Sequence, residues 1–344
     1  MFRQRRVLFS ALTVTLALAG CKFTGFDDAA NPPVVTKATN WIKTQQQADG
    51  SFEVSGFAGF ETPDAIVALG EAAQTKSSWS ESKARAFVLA TTKNGKSALD
   101  AMDDFADGTL SAGQAAKLIV LVAKPLGLST TAFDPQSDGA RNLVTVLNAG
   151  AQVNGSYGAF NATLYAALAK RLTAGAVPAT TLTYIRNAQQ AGGGWDFAGD
   201  ATMSDADIDT TSLAIQALVA AKVTKTDTNL VKGLQFLANQ QTASGAWQSF
   251  GSNDPNSTAT AVMAVTAAGF DATTPCWRNT VSPGLSGHAY ANPVNWIRTQ
   301  QANDGHIASA NDAFPPVNTF ATSQSVQALE RRWLPVAWLD ASLC

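Results

Sequence analysis

Charge is scarce in this chain. Only 15% of its 344 residues are Asp, Glu, Lys or Arg, against about a quarter in an ordinary soluble domain. No run of Lys or Arg forms a basic stripe, and the formal net charge is −2. Nucleic acid is therefore excluded as a partner. Histidine is nearly absent, with only His288 and His306, and cysteine occurs three times. No Cys-x-x-Cys and no metal-ligand spacing exists, so neither a zinc site nor a dithiol redox centre is expected. No Gly-rich phosphate loop is present, and no metal or cofactor is expected. Four Tyr and two His are too few and too scattered for a polysaccharide lyase. Gly284-Leu285-Ser286-Gly287-His288 is not a nucleophile elbow, because the glycine spacing is wrong and no strand precedes it. Strongly β-prone runs are few, and beyond the N-terminus no apolar run reaches membrane length.

What is present begins at the N-terminus. Arg3, Arg5 and Arg6 precede an apolar run from Val7 to Leu18, followed by Leu18-Ala19-Gly20-Cys21. The pattern reads as an export signal over residues 1–20. It resembles a bacterial lipobox, in which Cys21 becomes the lipid-bearing mature N-terminus; ordinary cleavage with an incidental Cys21 is the alternative. A chain so processed is exported to the bacterial cell envelope and held to a membrane by its lipid anchor only. Loss of three Arg with the leader moves the net charge to −5. Cys276 and Cys344 then remain, an even pair expected to form a disulfide in an oxidising compartment. Two buried thiols are the alternative. Residues 21–32 read as a linker, and 33–344 as one domain.

That domain is repetitive. Trp41-Ile42-Lys43-Thr44-Gln45-Gln46-Gln47-Ala48-Asp49-Gly50 returns as Trp296-Ile297-Arg298-Thr299-Gln300-Gln301-Ala302-Asn303-Asp304-Gly305. Tyr184-Ile185 leads to Gln189-Gln190 and Gly194-Trp195; Phe236-Leu237 leads to Gln240-Gln241 and Gly245-Ala246-Trp247. A weaker copy holds Gln152, Gly155 and Tyr157. After each turn a second helix is expected, centred on Ala68-Leu69, Ala167-Leu168, Ala217-Leu218, Ala264-Val265 and Ala328-Leu329. Seven residues before the second member of each pair stands Thr62, Asn161, Thr211, Thr258 or Thr322, and Ser111 holds that place before Leu118. Short hydroxyl and amide side chains suit helix starts.

Six helix pairs result, over about 33–77, 80–127, 137–175, 178–223, 226–270 and 291–333. The Ala-rich second helices suit an inner ring, where backbones approach closely, and the first helices an outer one. An open solenoid needs polar terminal caps. Here the first and last outer helices are apolar near-copies, which favours a closed all-α ring, a single (α/α)6 toroid.

The Gln–Gly–aromatic unit resembles the QW repeat of the squalene–hopene cyclase and prenyltransferase superfamily. The resemblance covers most of 33–333 and implies the toroid fold more than any activity. In that family the Gln caps a neighbouring helix and stacks on the aromatic. Here that structural role would fall on Gln47, Gln190, Gln241 and Gln301, with Phe52, Trp195 and Trp247; Ile307 departs from the pattern. Prenyltransferases need a zinc set that this chain lacks, and thioester proteins need a Cys-Gly-Glu-Gln run that is absent. Class II terpene cyclases carry Asp-x-Asp-Asp at an inner-helix start, its middle Asp acting as general acid. The corresponding run is Asp207-Ile208-Asp209-Thr210, so the middle Asp stands as Asp209 but the last is Thr210. Exported corrinoid carriers of the intrinsic factor and transcobalamin type are similar in their Asp-Thr inner-helix starts, although their clamping β domain has no counterpart here.

Asp196, Asp200, Asp205, Asp207 and Asp209 form an acidic stretch. A calcium-loop reading fails because Thr210 and Gln216 stand where Gly and Glu are required. A solvated loop leading into a helix cap is the simpler reading. Thr62, Ser111, Asn161, Asp207, Asp209, Thr211, Thr258 and Thr322 are thus expected to converge on one end of the cavity as a ligand-binding ring. The expected occupant is a bulky small molecule, corrinoid or terpenoid-like, or a surface protein, held without catalysis. The alternatives are a cyclase-like enzyme with Asp209 as general acid, and a purely structural scaffold.

Overall fold

A computed structural model describes residues 33–53, 57–74, 79–309 and 319–334, and the backbone of 337–338. The expected leader, Cys21 and Cys344 lie outside these residues. The helices, in order, are α1 (Pro33–Thr44), α2 (Thr62–Ala72), α3 (Glu81–Ala90), α4 (Ala98–Asp107), α5 (Ala112–Leu118), α6 (Leu143–Ala149), α7 (Phe160–Ala174), α8 (Ala179–Asn187), α9 (Ile208–Ala220), α10 (Thr228–Gln240), α11 (Pro255–Ala267), α12 (Cys276–Val281), α13 (Pro293–Thr299) and α14 (Thr319–Leu329). A π-turn over Ile119–Ala123 extends α5. Strands are limited to two-residue hairpins, such as 92–93 with 96–97 and 248–249 with 252–253.

Local chemistry sets the helix starts. Ser97 and Ser111 build reciprocal capping boxes with Asp100 and Gln114, satisfying two otherwise orphaned N–H groups each. Asp207, Asp227, Asp254 and Asn292 cap α9, α10, α11 and α13. Pro255 and Pro293 occupy first-turn positions, where a missing N–H costs nothing.

Six helices form an inner ring in the cyclic order α2, α5 with its π-turn, α7, α9, α11 and α14, and α14 packs back on α2. They are buried almost all round: in α11 only Thr260 escapes burial, and in α14 only Phe320. Small side chains such as Ala214, Ala217, Ala261 and Ala264 make that close packing sterically feasible. Outside the ring, α3, α6, α8, α10 and α13 each pack on the inner helix of the preceding unit. The first helix, α1, packs in the same way on the last inner helix, α14. The ring is closed, and the open solenoid is excluded.

One repeated contact makes these junctions. Gln46 Nε2 donates to the carbonyls of Gly50 (3.0 Å) and Thr91 (3.1 Å). Gln189 donates to Gly193 (2.7 Å) and Asn229 (2.8 Å), and Gln241 to Gly245 (3.0 Å) and Ala291 (3.5 Å). Gln301 donates to Gly305 (3.1 Å) and, closing the ring, to Val34 (2.8 Å). The role expected of Gln47 and Gln190 therefore falls on Gln46 and Gln189. The Gln must stand four residues before the turn glycine, and only one member of each Gln run does so. Trp195 and Trp247 are fully buried and donate from Nε1 to Ile185 (2.7 Å) and Leu237 (2.8 Å).

Unit two departs from the pattern: its Gln turn is replaced by the 92–97 hairpin and the additional helix α4. The 271–291 connection contains α12 and is stitched by Arg278, which donates to the carbonyls of His288 (2.9 Å) and Ala289 (3.1 Å). Cys276 is the first residue of α12. Among the described residues no helix is long and apolar enough to cross a membrane.

Candidate functional site

The inner helices begin together at one end of the ring. Asp64 on α2 pairs with Lys117 on α5 at 3.1 Å. Asp209 on α9 meets Ser257 and Thr260 on α11. Thr319 on α14 donates from its backbone N–H to Glu61, just before α2 (3.2 Å). Toward the opposite end, polar groups are buried. There Arg332, following α14, donates from Nε to Glu71 on α2 (2.6 Å), and its guanidinium lies 4.8 Å from the ring centre of Trp79. The backbone N–H of Leu334 donates to Gln216 Oε1 (2.8 Å).

Four residues expected to line the open end do something else. Thr62, Thr211, Thr258 and Thr322 are wholly buried. Each hydroxyl accepts from the backbone N–H of the turn aromatic or its equivalent: Phe52 (2.9 Å), Trp195 (2.9 Å), Trp247 (3.0 Å) and Ile307 (2.9 Å). They fasten the turn to the inner helix. In unit three Thr163 takes that role through Tyr157 (2.9 Å), two residues beyond the expected Asn161, which is half-buried. Ser111 is an exposed cap for α5, accepting from the Gln114 N–H (3.2 Å).

Asp207 and Asp209 do reach a cleft. It has a volume of 460 Å³ and is lined by Asp205, Asp207, Asp209, Phe236, Phe250 and Ser257 among others. Asp207 caps α9, accepting from the Thr210 N–H (2.7 Å). Asp209 is accessible through the cleft, yet its carboxylate is held at both oxygens: Thr260 Oγ1 donates to Oδ1 (2.9 Å) and Ser257 Oγ to Oδ2 (3.1 Å). Burial pushes its carboxyl up to about 6, the charges of Asp207 and Asp254 add to this, and the two hydroxyls oppose it. Burial likewise raises Asp207. Among the described residues, no Lys, Arg or His lines the cleft. Its chemistry is that of an acidic floor beside an apolar rim, with Phe250 and Met203 strongly exposed there.

The rest of the acidic stretch shapes the loop. Asp196 accepts from the Asp200 N–H (2.8 Å), and Asp200 from Thr202 Oγ1 (2.7 Å). Gln190 donates to Asp205 (3.0 Å) and accepts from the Ala206 N–H (2.9 Å), which is what it does in place of joining helices.

A second inward group escaped the sequence reading. Lys117 lies 4.9 Å from the ring centre of Phe60, 5.7 Å from Phe320 and 6.0 Å from Tyr165 while paired with buried Asp64. Burial, and then the charge of Asp64, holds the Tyr165 phenol well above its usual range. An isolated Lys or Asp within an Ala-rich inner helix was the available signal.

Solved structures of the type II terpene cyclase MstE from Scytonema superpose on this chain. Its apo form gives a TM-score of 0.61 at 12% identity, covering 87% of this chain and 96% of that one. Variants bound to the substrate geranylgeranyl dihydroxybenzoate and to the product merosterolic acid A each give 0.59, at 12% and 13% identity, again over 87% of this chain and 96% and 95% of the other. The chain has the α/α-toroid fold of a type II terpene cyclase. At such identity the likeness is one of fold. Searches against protein-family models and curated proteins give no match.

Asp209 makes a pH prediction. Its folded pKa of about 6 exceeds the unfolded value of about 4. Its contribution to stability is therefore complete below pH ~4 and lost as pH rises through ~6. Urea midpoints of the wild type should fall across that window relative to those of Asp209→Asn. Parallel curves for the two proteins would contradict the assignment.

Proposed function

We propose that the toroid binds a bulky, partly apolar small molecule, terpenoid-like in body, and offers Asp209 to a hydroxyl or amine on it, without catalysis. The observation that carries this reading is the double clamp on Asp209 in a cleft with carboxylates on its floor, aromatics on its rim and no cation among the described residues of its lining. Two hydroxyl donors oppose the rise that its surroundings impose on Asp209, and with its carboxyl at about 6 it is ionised at neutral pH. Protonating an alkene demands the reverse, an acid kept protonated and strongly acidic in a dry, aromatic-lined cavity. Buried Lys117–Asp64 and Glu71–Arg332 pairs make this interior polar. The corrinoid likeness rested on Asp209-Thr210, and Thr210 is buried with its side chain bonded to Asp207. A concave cleft suits a small molecule better than a protein surface.

Export belongs to the same proposal. Cys21 would carry the lipid that holds the toroid at the bacterial envelope, and Cys276 would pair with Cys344. A diacylated N-terminal peptide, and a two-dalton mass gain of the lipid-free chain on reduction, are the expected observations.

Native mass spectrometry of protein from its own host should retain a ligand with a terpenoid-like mass. Geranylgeranylamine and geranylgeraniol are suitable probes. Asp209→Asn should weaken the amine by about fivefold, the loss of a solvent-accessible charge pair worth about 1 kcal/mol. Conversion of a polyprenyl substrate to a cyclised product by the wild type, abolished in Asp209→Asn, would overturn the binding reading in favour of catalysis. Equal affinity of both proteins for the amine would remove Asp209 from the site.

A further inference from the structure

Away from the cleft, α4 turns one carboxyl group inward. Asp103 is fully buried. Its Oδ2 accepts from the Gln136 N–H (2.6 Å), while its Oδ1 is buried with no hydrogen-bond partner. Facing it are Asp134 and Asp138, from the loop that joins the second and third units. One carboxylate oxygen from each of the three residues lies within 4.8 Å of the others.

Among the described residues, no cation pairs with this group. Asp134, Asp138 and Asp107 all act on Asp103 as like charges. The neighbouring Lys96 spends its ammonium on Gln136 Oε1 (2.8 Å). Among the described residues, no ion pair includes Asp103, Asp134 or Asp138. A buried carboxylate atom without a donor costs stability unless it is protonated or meets a cation.

We propose that Asp103, Asp134 and Asp138 bind a calcium ion that ties the 134–139 loop to α4. The donor set is all oxygen and all carboxylate, which selects a hard cation over zinc. One oxygen from each side chain lies within 4.8 Å of the other two, close enough to meet a single ion. Loop-borne ligands of irregular geometry suit calcium, which tolerates them, over magnesium, which demands a near-ideal octahedron. Asp134 Oδ1 already accepts from the Asp138 (2.9 Å) and Gly139 (3.3 Å) N–H groups, which leaves its Oδ2 for the metal. Water supplies the remaining ligands. The sequence hides the site because one Asp lies on a helix some thirty residues before the other two.

Calorimetric titration of the chelator-stripped chain with CaCl2 tests this. One calcium per chain should bind at or below ~1 mM, the range of extracellular calcium modules. The unfolding temperature should rise by about 3–6 °C at saturation. Asp134→Asn and Asp138→Asn, at partly and fully accessible positions, should each weaken binding at least about tenfold. Asp103→Asn should be more stable than the wild type in chelator and insensitive to calcium. Absence of binding heat and of any thermal shift up to ~10 mM would overturn the proposal. So would binding that survives both loop substitutions unchanged.

Discussion

Arg332→Met is expected to lower the unfolding free energy by about 3–5 kcal/mol, the cost of removing one partner of a buried ion pair. Arg332 is 1% exposed and its partner Glu71 not at all. Both are buried away from the helix starts that carry Asp209, where water does not readily replace the lost guanidinium. Burial raises the Glu71 carboxyl to about 8, with Arg332 pulling the other way and Glu330 adding to the rise. Removing Arg332 takes away the opposing influence, so Glu71 would hold its proton to still higher pH. Because the folded pKa then lies further above the unfolded one, the variant should lose stability as pH rises, and be weaker at pH 8 than at pH 6. Adding Glu71→Leu should recover most of the loss, since an apolar pair leaves no buried carboxyl without a partner. Guanidinium unfolding at the two pH values reads all three outcomes. A single variant within about 1 kcal/mol of the wild type would mean that the pair behaves like a surface contact.

That buried pair also marks where sequence reading ends. The ring was legible because its junctions use residues with few other reasons to recur: a glycine, a Gln four residues before it, and an indole or phenyl after it. Which Gln of a run acts was not legible. Gln46 and Gln47 differ only in register, and register is decided by the reach from the side-chain amide to the Gly50 carbonyl. The inner-helix threonines misled for a related reason. A hydroxyl near a helix start can cap it, face a cavity or fasten the preceding turn, and the chain pattern is the same for all three. Helices buried on every side add to the difficulty, because they lack the polar–apolar contrast that assigns a face. Lys117, Asp64 and Tyr165 went unread on that account, their only signal being a lone Lys or Asp in an Ala-rich helix. Asp209 stood out only through its resemblance to the Asp-x-Asp-Asp motif, and the structure adds that Asp207 supplies the helix cap.

Closure of the ring carries the other large effect. Gly305→Ala should destabilise the fold by about 3 kcal/mol or more. Gly305 has φ of +108°, and a Cβ there would stand 2.3 Å from the Lys37 carbonyl oxygen. Lys37 lies on α1, so the clash falls on the junction between the last unit and the first. Two costs are combined: a left-handed backbone forced on an L-residue, and backbone driven into backbone, which no rotamer change relieves. Gly251→Ala separates them. Gly251 also has positive φ, +82°, but nothing lies within 4 Å of its would-be Cβ. Its substitution should cost only the conformational part, about 1–2 kcal/mol. The excess at Gly305 then measures the closing contact itself. Gln301→Ala should reproduce part of that excess without backbone strain, by removing the donor to Val34. Urea unfolding of the three variants gives the comparison. If Gly305→Ala costs no more than Gly251→Ala, the first and last units are not held by the contact that joins the others, and the ring gains little stability from being closed.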